Sequence, residues 1–221
     1  MKEIMDEAKI LSVLEIKICM QILNGQEWNY FPVSQTGESL EKRITEAFLR
    51  LVEMGFLQYE TGGYTQTVQM KKAFGAAVKP EFTVRIMRKA SMPVVISGNR
   101  NYFMVMEQVA GQDGMIRLYQ AEEEWLWKSL TKEMEEKIEE KIEEKIEEKI
   151  EEKIEEKKIE VLDAVSWEKL EQAETLLHIY RGKEEQVIAI WKTENGRVFL
   201  VPQEEKEIPL SREGLWQQIE G

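Results

Sequence analysis

Residues 93–109 read PVVISGNRNYFMVMEQV, and this stretch decides the fold that we predict. β-branched and aromatic residues fill two runs on either side of Gly98 and Asn99, which is the pattern of two strands joined by a turn. Two more runs of this kind flank the pair, at residues 82–87 and 115–119. We therefore predict a β-rich half over residues 81–130.

Residues 174–221 repeat this order of elements. Their β-prone runs are residues 175–180, 186–192 and 198–202. Asn195 and Gly196 form the strongest two-residue hairpin signal of the chain. A tryptophan-bearing helix is predicted after the strands of both halves, from residue 122 and from Ser211, whose hydroxyl can cap it. We infer an internal duplication into two pseudo-symmetric, antiparallel halves, each with three strands and a helix.

A repeated Glu-Glu-Lys-Ile unit separates the two halves over residues 134–160. These residues favour a helix, and neither Gly nor Pro interrupts them. A four-residue period places like charges at i,i+4, so only weak i,i+3 pairs between opposite charges remain. Each isoleucine lies ~40° further around the helix than the one before, which excludes a coiled-coil seam. We predict a long charged, solvated helix within residues 131–173; a partner-binding helix is the alternative.

The length of this helix bears on the arrangement of the halves. About 26 residues of helix span ~40 Å, whereas six strands side by side span roughly 25–30 Å. If the halves share one sheet, the helix must cross or overshoot that sheet. If they do not, the protein consists of two separate β-rich parts joined by the helix. We expect one shared sheet from which the helix protrudes.

Residues 1–80 are predicted to form a winged-helix-like unit. The apolar periodicity indicates helices over residues 11–22, 38–53 and 69–78. Gly55 occupies a position typical of a helix C-terminus. Two β-prone runs around Gly62 and Gly63 indicate a hairpin between the second and third helices. The loop of residues 25–38 has room for a further short helix.

Charge and composition limit the class of protein. The net charge is −12, and half of it lies in residues 131–160, with 14 acidic and 8 basic side chains. Cys19 is the single cysteine, which excludes a disulfide within the chain, and its apolar surroundings indicate a small buried side chain. We find neither a signal peptide nor a run of ~20 apolar residues, so we expect a cytoplasmic protein without membrane insertion.

Few residues are suited to catalysis or metal binding. His178 is the only histidine, so it cannot build a multi-histidine metal site, and its β-like surroundings indicate a structural or surface role. The glycines at 62–63 and 111–114 indicate turns, because no Gly-Lys-Ser/Thr follows them. We predict no enzyme, no cofactor and no metal site; an enzyme with perturbed carboxylates in a pocket is the alternative. The six tryptophans are expected in the core, or else on an interaction surface.

Residues 44–57, ITEAFLRLVEMGFL, lead into the hairpin at Gly62 and Gly63. This segment and the order of a winged-helix-like start before two related halves resemble the EspG-type chaperones of type VII secretion systems. The resemblance implies a cytosolic chaperone or adaptor that binds a small helical-hairpin protein before export. It implies no catalytic residues and identifies no contact residues. The Glu-Glu-Lys-Ile repeat departs from the family pattern.

A winged-helix regulator that binds DNA is the alternative function. Its recognition helix would be residues 38–53, which carry Lys42, Arg43 and Arg50 against four glutamates. Affinity for DNA comes largely from the neutralisation of phosphates by basic side chains. A helix with a net charge of −1 lacks this feature, so nucleic acid is the less favoured partner.

Overall fold

The computed structural model describes residues 8–23, 28–33, 37–89, 91–131, 173, 175–192, 198–202 and 208–221. Two of our sequence predictions lie outside these residues. They are the charged helix of the Glu-Glu-Lys-Ile repeat and the turn at Asn195 and Gly196.

The described residues form an α+β fold with five helices and a large antiparallel sheet, as predicted. The strands are β1 (Lys9–Ser12), β2 (Leu57–Glu60), β3 (Gly63–Gln66), β4 (Phe82–Arg88), β5 (Val94–Asn99), β6 (Tyr102–Gln108), β7 (Met115–Ala121), β8 (Thr175–Arg181), β9 (Glu184–Lys192), β10 (Val198–Pro202) and β11 (Ile208–Pro209). The helices are α1 (Val13–Ile22), α2 (Leu40–Glu53), α3 (Val68–Val78), α4 (123–131) and α5 (Arg212–Glu220).

The two β-rich halves share one sheet, which confirms that expectation. Nine strands are ordered β1-β7-β6-β5-β4-β8-β9-β10-β11, and the central pair β4 and β8 is antiparallel, with Val84 opposite Ile179. Each half contributes four described strands, although we predicted halves of three strands; the four β-prone runs of residues 82–119 all form strands, and β11 is the strand that the sequence did not indicate. The two residues of β11 are too few to leave a periodic pattern in the sequence.

The hairpin of the deciding stretch turns two residues later than predicted. Gly98 and Asn99 belong to β5 and pair with β6, so the turn is made by Arg100 and Asn101. The Asn99 Oδ1 atom accepts hydrogen bonds from the backbone of Asn101 (3.1 Å) and of the next residue (3.3 Å). Glycine is needed at 98 because a Cβ there would lie 2.7 Å from the Cα of Phe103.

The first helix begins later than its apolar periodicity suggested. Leu11, which we placed in the helix, lies in β1 and pairs with Ile116 of β7 at the edge of the sheet. Ser12 then caps α1: its hydroxyl accepts from the backbone of Glu15 at 3.2 Å, while the Glu15 carboxylate accepts from the backbone of Ser12 at 2.6 Å. This capping box fixes the helix start at Val13.

The rest of the N-terminal unit follows the predicted order. α2 ends before Gly55, whose φ of +73° is the left-handed conformation that favours glycine. The hairpin of β2 and β3 turns at Thr61 and Gly62, since Gly63 already pairs with Glu60. Thr67 caps α3 and donates a hydrogen bond of 2.7 Å to the Gly55 carbonyl, which ties the hairpin to both helices.

The two larger of three apolar cores lie on opposite faces of the sheet. The N-terminal helices pack on one face of β5–β7, around Ile16, Leu51, Phe56, Phe74 and Met104. The tryptophan-bearing helices α4 and α5 pack on the other face, around Phe82, Phe103, Leu126 and Trp216. The first half is therefore covered on both faces by described helices.

Arg100 joins the helices of the two halves. Its guanidinium lies 3.2 Å from Glu123 of α4 and 2.8 Å from Glu213 of α5, and it sits 5.6 Å from the ring centroid of Trp216. These carboxylates hold the pKa of Arg100 above its ordinary value, and Arg100 in turn lowers the pKa of Glu213. The β5–β6 turn thus positions α4 beside α5.

Candidate functional site

An aromatic cluster on the β2–β3 hairpin places two exposed tyrosine rings on the surface of the N-terminal unit. Tyr59 and Tyr64 are directly opposed across the two strands, with their rings 5.4 Å apart in an edge-to-face arrangement. Phe48 of α2 stacks on Tyr64 at 4.8 Å. We call Phe48, Tyr59 and Tyr64 the hairpin patch.

The hairpin patch lies on the face of the hairpin that is buried near α2 and exposed to solvent near the turn. Leu57 points to the same side of the hairpin as Tyr59, and it is buried beneath α2. Two residues further along, Tyr59 is 69% exposed, and its partner Tyr64 is 40% exposed. Large aromatic side chains contribute most to binding energy when a partner buries them. The geometry is suited to contact with another apolar surface.

Two of the three basic residues of α2 are engaged with carboxylates. The Lys42 Nζ atom lies 2.7 Å from Glu38 and 3.6 Å from Glu46. The hydrogen bond to Glu38 raises the pKa of Lys42 and lowers that of Glu38. The Arg50 Nε atom lies 3.3 Å from the buried carboxylate of Glu15. Two of the three cations on which phosphate binding by this helix would depend therefore have partners already.

A groove opens beside α3, at the end of β7. It has a volume of about 890 Å³ and is lined by Lys71, Lys72 and Gly75 of α3, by Tyr102, by residues 119–122 and by Trp125 of α4. We call it the α3 groove. Gln120 donates a hydrogen bond of 2.7 Å to the backbone carbonyl of Lys72, so the sheet and α3 are held together across it.

The wall of the α3 groove also contains a partly buried phenol, that of Tyr119. The Tyr119 hydroxyl donates to the Glu107 carboxylate at 2.8 Å, and its ring meets Trp125 edge to face at 5.9 Å. Burial, followed by the hydrogen bond and charge of Glu107, raises the pKa of Tyr119 well above its ordinary value. The phenol therefore stays protonated at neutral pH and serves as a fixed donor.

His178 lies in a polar cluster in the middle of the sheet. Its Nδ1 atom is 2.9 Å from Glu185 of β9, and this contact is the main reason that the pKa of Glu185 is lowered. Burial, together with Glu185, raises the pKa of the neighbouring Tyr180 to about 12. We predicted a structural or surface role for the histidine, and the structure places it in this contact between β8 and β9.

Two buried donors lie close to this cluster. Among the described residues, neither the Arg85 Nε atom nor the Trp28 Nε1 atom has a hydrogen-bond acceptor. Arg85 is opposite His178 in the strand register, and Trp28 is joined to Tyr180 through Tyr30, with ring separations of 5.9 Å at each step. Such donors cost about 1–3 kcal/mol each when they are left unpaired.

The cysteine, the tryptophans and the turn glycines that the sequence analysis singled out lie in the cores, at the core edges or in turns. Cys19 is buried, and burial raises the pKa of its thiol to about 12, with a smaller contribution from the charge of Glu15. Trp28 and Trp216 belong to the two cores, as expected, whereas Trp125 and Trp127 are only partly buried. Gly111 and Gly114 lie in the β6–β7 turn, also as predicted.

The described part of the chain contains no group of three or more His, Cys, Asp or Glu residues with the geometry of a metal site. No described helix is both long and apolar enough to span a membrane.

Sequence reasoning placed Tyr59 and Tyr64 in strands but did not identify the hairpin patch. Their equal distance from the turn was the available signal, because residues placed symmetrically about a two-residue turn face each other. The α3 groove had no such signal, since its lining comes from separate parts of the chain. No protein-family model matches the sequence, and no curated protein matches it significantly.

Proposed function

We propose that this chain is a cytoplasmic, non-enzymatic chaperone or adaptor, similar to the EspG-type secretion chaperones, that binds a small helical protein. The single observation that carries the proposal is the hairpin patch. The Tyr64 ring contacts both Tyr59 across the hairpin and Phe48 of α2, and the hairpin is itself tied to two helices. Pre-organised aromatic residues lose little conformational entropy on binding.

The partner is proposed to be helical because of the shape of the patch. The exposed rings of Tyr59 and Tyr64, together with the partly buried ring of Phe48, form a short apolar ridge along the hairpin and α2. An amphipathic helix buries such a ridge with side chains at i, i+3 and i+4. A helical-hairpin secretion substrate presents surfaces of this kind.

We also propose that the two β-rich halves are related by a pseudo-twofold axis between β4 and β8. Counted outward from this pair, β5 is then equivalent to β9, β6 to β10 and β7 to β11 in the strand order. α4 and α5 follow the last strand of each half, and both form an ion pair with Arg100. The winged-helix-like character of residues 1–80 is part of the same proposal, and it is supported by the order α2, hairpin, α3.

Co-expression with the products of adjacent genes tests the proposed function. We expect a small helical protein to co-elute with this chain in size-exclusion chromatography at a stoichiometric ratio. If no neighbouring product co-elutes, the proposal fails. A mobility-shift assay at low salt tests the DNA alternative, and the engagement of Lys42 and Arg50 with carboxylates leads us to expect no retardation of duplex DNA.

A further inference from the structure

A strip of α2 runs alongside the β2–β3 hairpin and continues the hairpin patch. Glu41, Thr45, Phe48 and Val52 follow one another at i, i+4, i+7 and i+11, which places them on one side of the helix. Phe48 stacks on Tyr64 at 4.8 Å, so this side of α2 is the one next to the hairpin. A partner that covers the hairpin patch therefore lies against α2 as well.

Leu49 extends the exposed apolar surface along α2. It follows Thr45 at i+4, so it borders the same strip, and its side chain is 53% exposed. The hairpin contributes Tyr59, which is 69% exposed. Contiguous apolar surface of this kind on a folded protein is typical of an interaction site.

Carboxylates without ion pairs flank this surface along α2. Glu41 precedes Phe48 by seven residues, and Glu53 follows Leu49 by four. Both glutamates are exposed, and neither forms an ion pair with a described residue. They are twelve residues apart in one helix, which corresponds to ~18 Å along its axis.

The basic residues of α2 do not offset these two carboxylates. Lys42 lies 2.7 Å from one glutamate and 3.6 Å from another, and Arg50 lies 3.3 Å from a buried glutamate of α1. Arg43 is five residues from Phe48, a rotation of ~140° around the helix, so it lies away from the hairpin. The surface beside the hairpin patch therefore has a local negative charge, on a chain whose net charge is −12.

We infer that the helix bound by the hairpin patch is basic, with an apolar face that covers the patch and Leu49 and with lysine or arginine side chains that pair with Glu41 and Glu53. The inference rests on the proposed function, because it specifies the charge of the helical partner. Complementary charge at the rim of an interface favours the correct partner and speeds its association.

A pair of defined peptides serves as the probe. The basic peptide is a fluorescein-labelled amphipathic helix of about 20 residues built from alanine, leucine and lysine, a length at which an isolated helix can form. The matched acidic peptide has glutamate in place of every lysine. Fluorescence anisotropy with the full-length protein should show saturable binding of the basic peptide and no saturation with the acidic one.

A double variant separates the local carboxylates from the net charge of the chain. We expect Glu41→Gln with Glu53→Gln to bind the basic peptide at least about fivefold more weakly, since two rim ion pairs are lost. Glu81→Gln with Glu184→Gln removes the same charge from exposed positions of the nine-stranded sheet, and should stay within about twofold of the wild type. Circular dichroism melting checks that both double variants are folded.

The apolar part of the surface is tested with the same peptide. Tyr59→Ser combined with Tyr64→Ser removes the exposed rings of the hairpin patch and leaves both glutamates in place. We expect this variant to bind the basic peptide at least about tenfold more weakly. Unchanged binding would show that the peptide is held by charge alone, away from the patch, and would contradict the inference.

Equal weakening by the two glutamate double variants would overturn the inference, because the peptide would then respond only to net charge. A basic peptide that does not saturate, or an acidic peptide that binds equally well, would overturn it too. Failure of the proposed function is a different result, in which no helical product of an adjacent gene forms a complex. If a complex forms, is weakened by changes in the hairpin patch and is unaffected by Glu41→Gln with Glu53→Gln, the function stands and the basic helix is excluded.

Discussion

Cys19 shows how one buried side chain can be tested at the residue scale. Burial, and to a lesser extent the charge of Glu15, raises the pKa of its thiol to about 12. At pH 8 on the order of one thiol in 10⁴ is then ionised, and the thiolate is the reactive form. We expect a disulfide reagent such as DTNB to label the native protein very slowly and to label it fully in guanidinium chloride. Fast labelling of the native protein would show that α1 is not packed as described.

Glu185 provides a test of pH dependence. Its pKa is lowered in the folded state, mainly by His178, so the stability it contributes is present above the pKa of the unfolded chain and is lost as pH falls through the folded value. Because the Glu185 side chain is half exposed, we expect Glu185→Gln to reduce the free energy of unfolding at pH 7 by only about 0.2–1 kcal/mol.

The difference between Glu185→Gln and the wild type should shrink as pH falls from about 5 to about 3. Urea denaturation at a series of pH values measures it. Glu184→Gln is the matched control, because the neighbouring glutamate has no ion pair with His178. If the difference in the free energy of unfolding stayed constant across this pH range, the Glu185–His178 contact would not contribute to stability.

At the scale of elements, Glu15 links α1 to α2. Its side chain is 1% exposed; one oxygen accepts from the backbone of Ser12 at 2.6 Å, and the other lies 3.3 Å from Arg50. We expect Glu15→Gln to lower the free energy of unfolding by about 1–3 kcal/mol, since a charge-assisted bond is lost and Arg50 keeps a weaker partner. Glu41→Gln, on the exposed side of α2, should change it by less than about 0.5 kcal/mol. Equal effects of the two variants in urea denaturation would contradict this account.

Elements with strong local signals could be predicted from the sequence. α2 has a continuous apolar stripe, a serine N-cap and a glycine after its C-terminus, so its bounds differ by only two residues from those predicted. The start of α1 was wrong because Leu11 fits the helical periodicity, although Ser12 begins a capping box with Glu15. The β5–β6 turn was misplaced because Gly98 serves close packing against Phe103 rather than the turn.

At the scale of the whole molecule, one long-range pairing organises the sheet. β4 and β8 are far apart in sequence, and their antiparallel register brings the two halves together. We expected the two halves to share one sheet, but the position of β1 next to β7 depends on a pairing that no local pattern encodes. The α3 groove could not be predicted for the same reason, because Gly75 and Trp125 meet only through the tertiary fold.

The hairpin patch is the feature on which the proposed function depends. Tyr59→Ser combined with Tyr64→Ser removes two exposed rings and leaves the buried Leu57 in place. Gln58 and Thr65 form the neighbouring cross-strand pair on the other face of the hairpin, so Gln58→Ala with Thr65→Ala is the matched control. Both double variants should unfold at nearly the wild-type temperature, because the changed side chains are exposed.

The most direct test is the dissociation constant of the complex with the co-eluting helical protein, measured by isothermal titration calorimetry. We predict that the tyrosine double variant raises this constant at least ~30-fold, which corresponds to about 2 kcal/mol for the loss of two aromatic contacts. The Gln58 and Thr65 control should stay within about twofold of the wild type. An unchanged constant for the tyrosine variant, with folding intact, would contradict the proposal that this patch binds the partner.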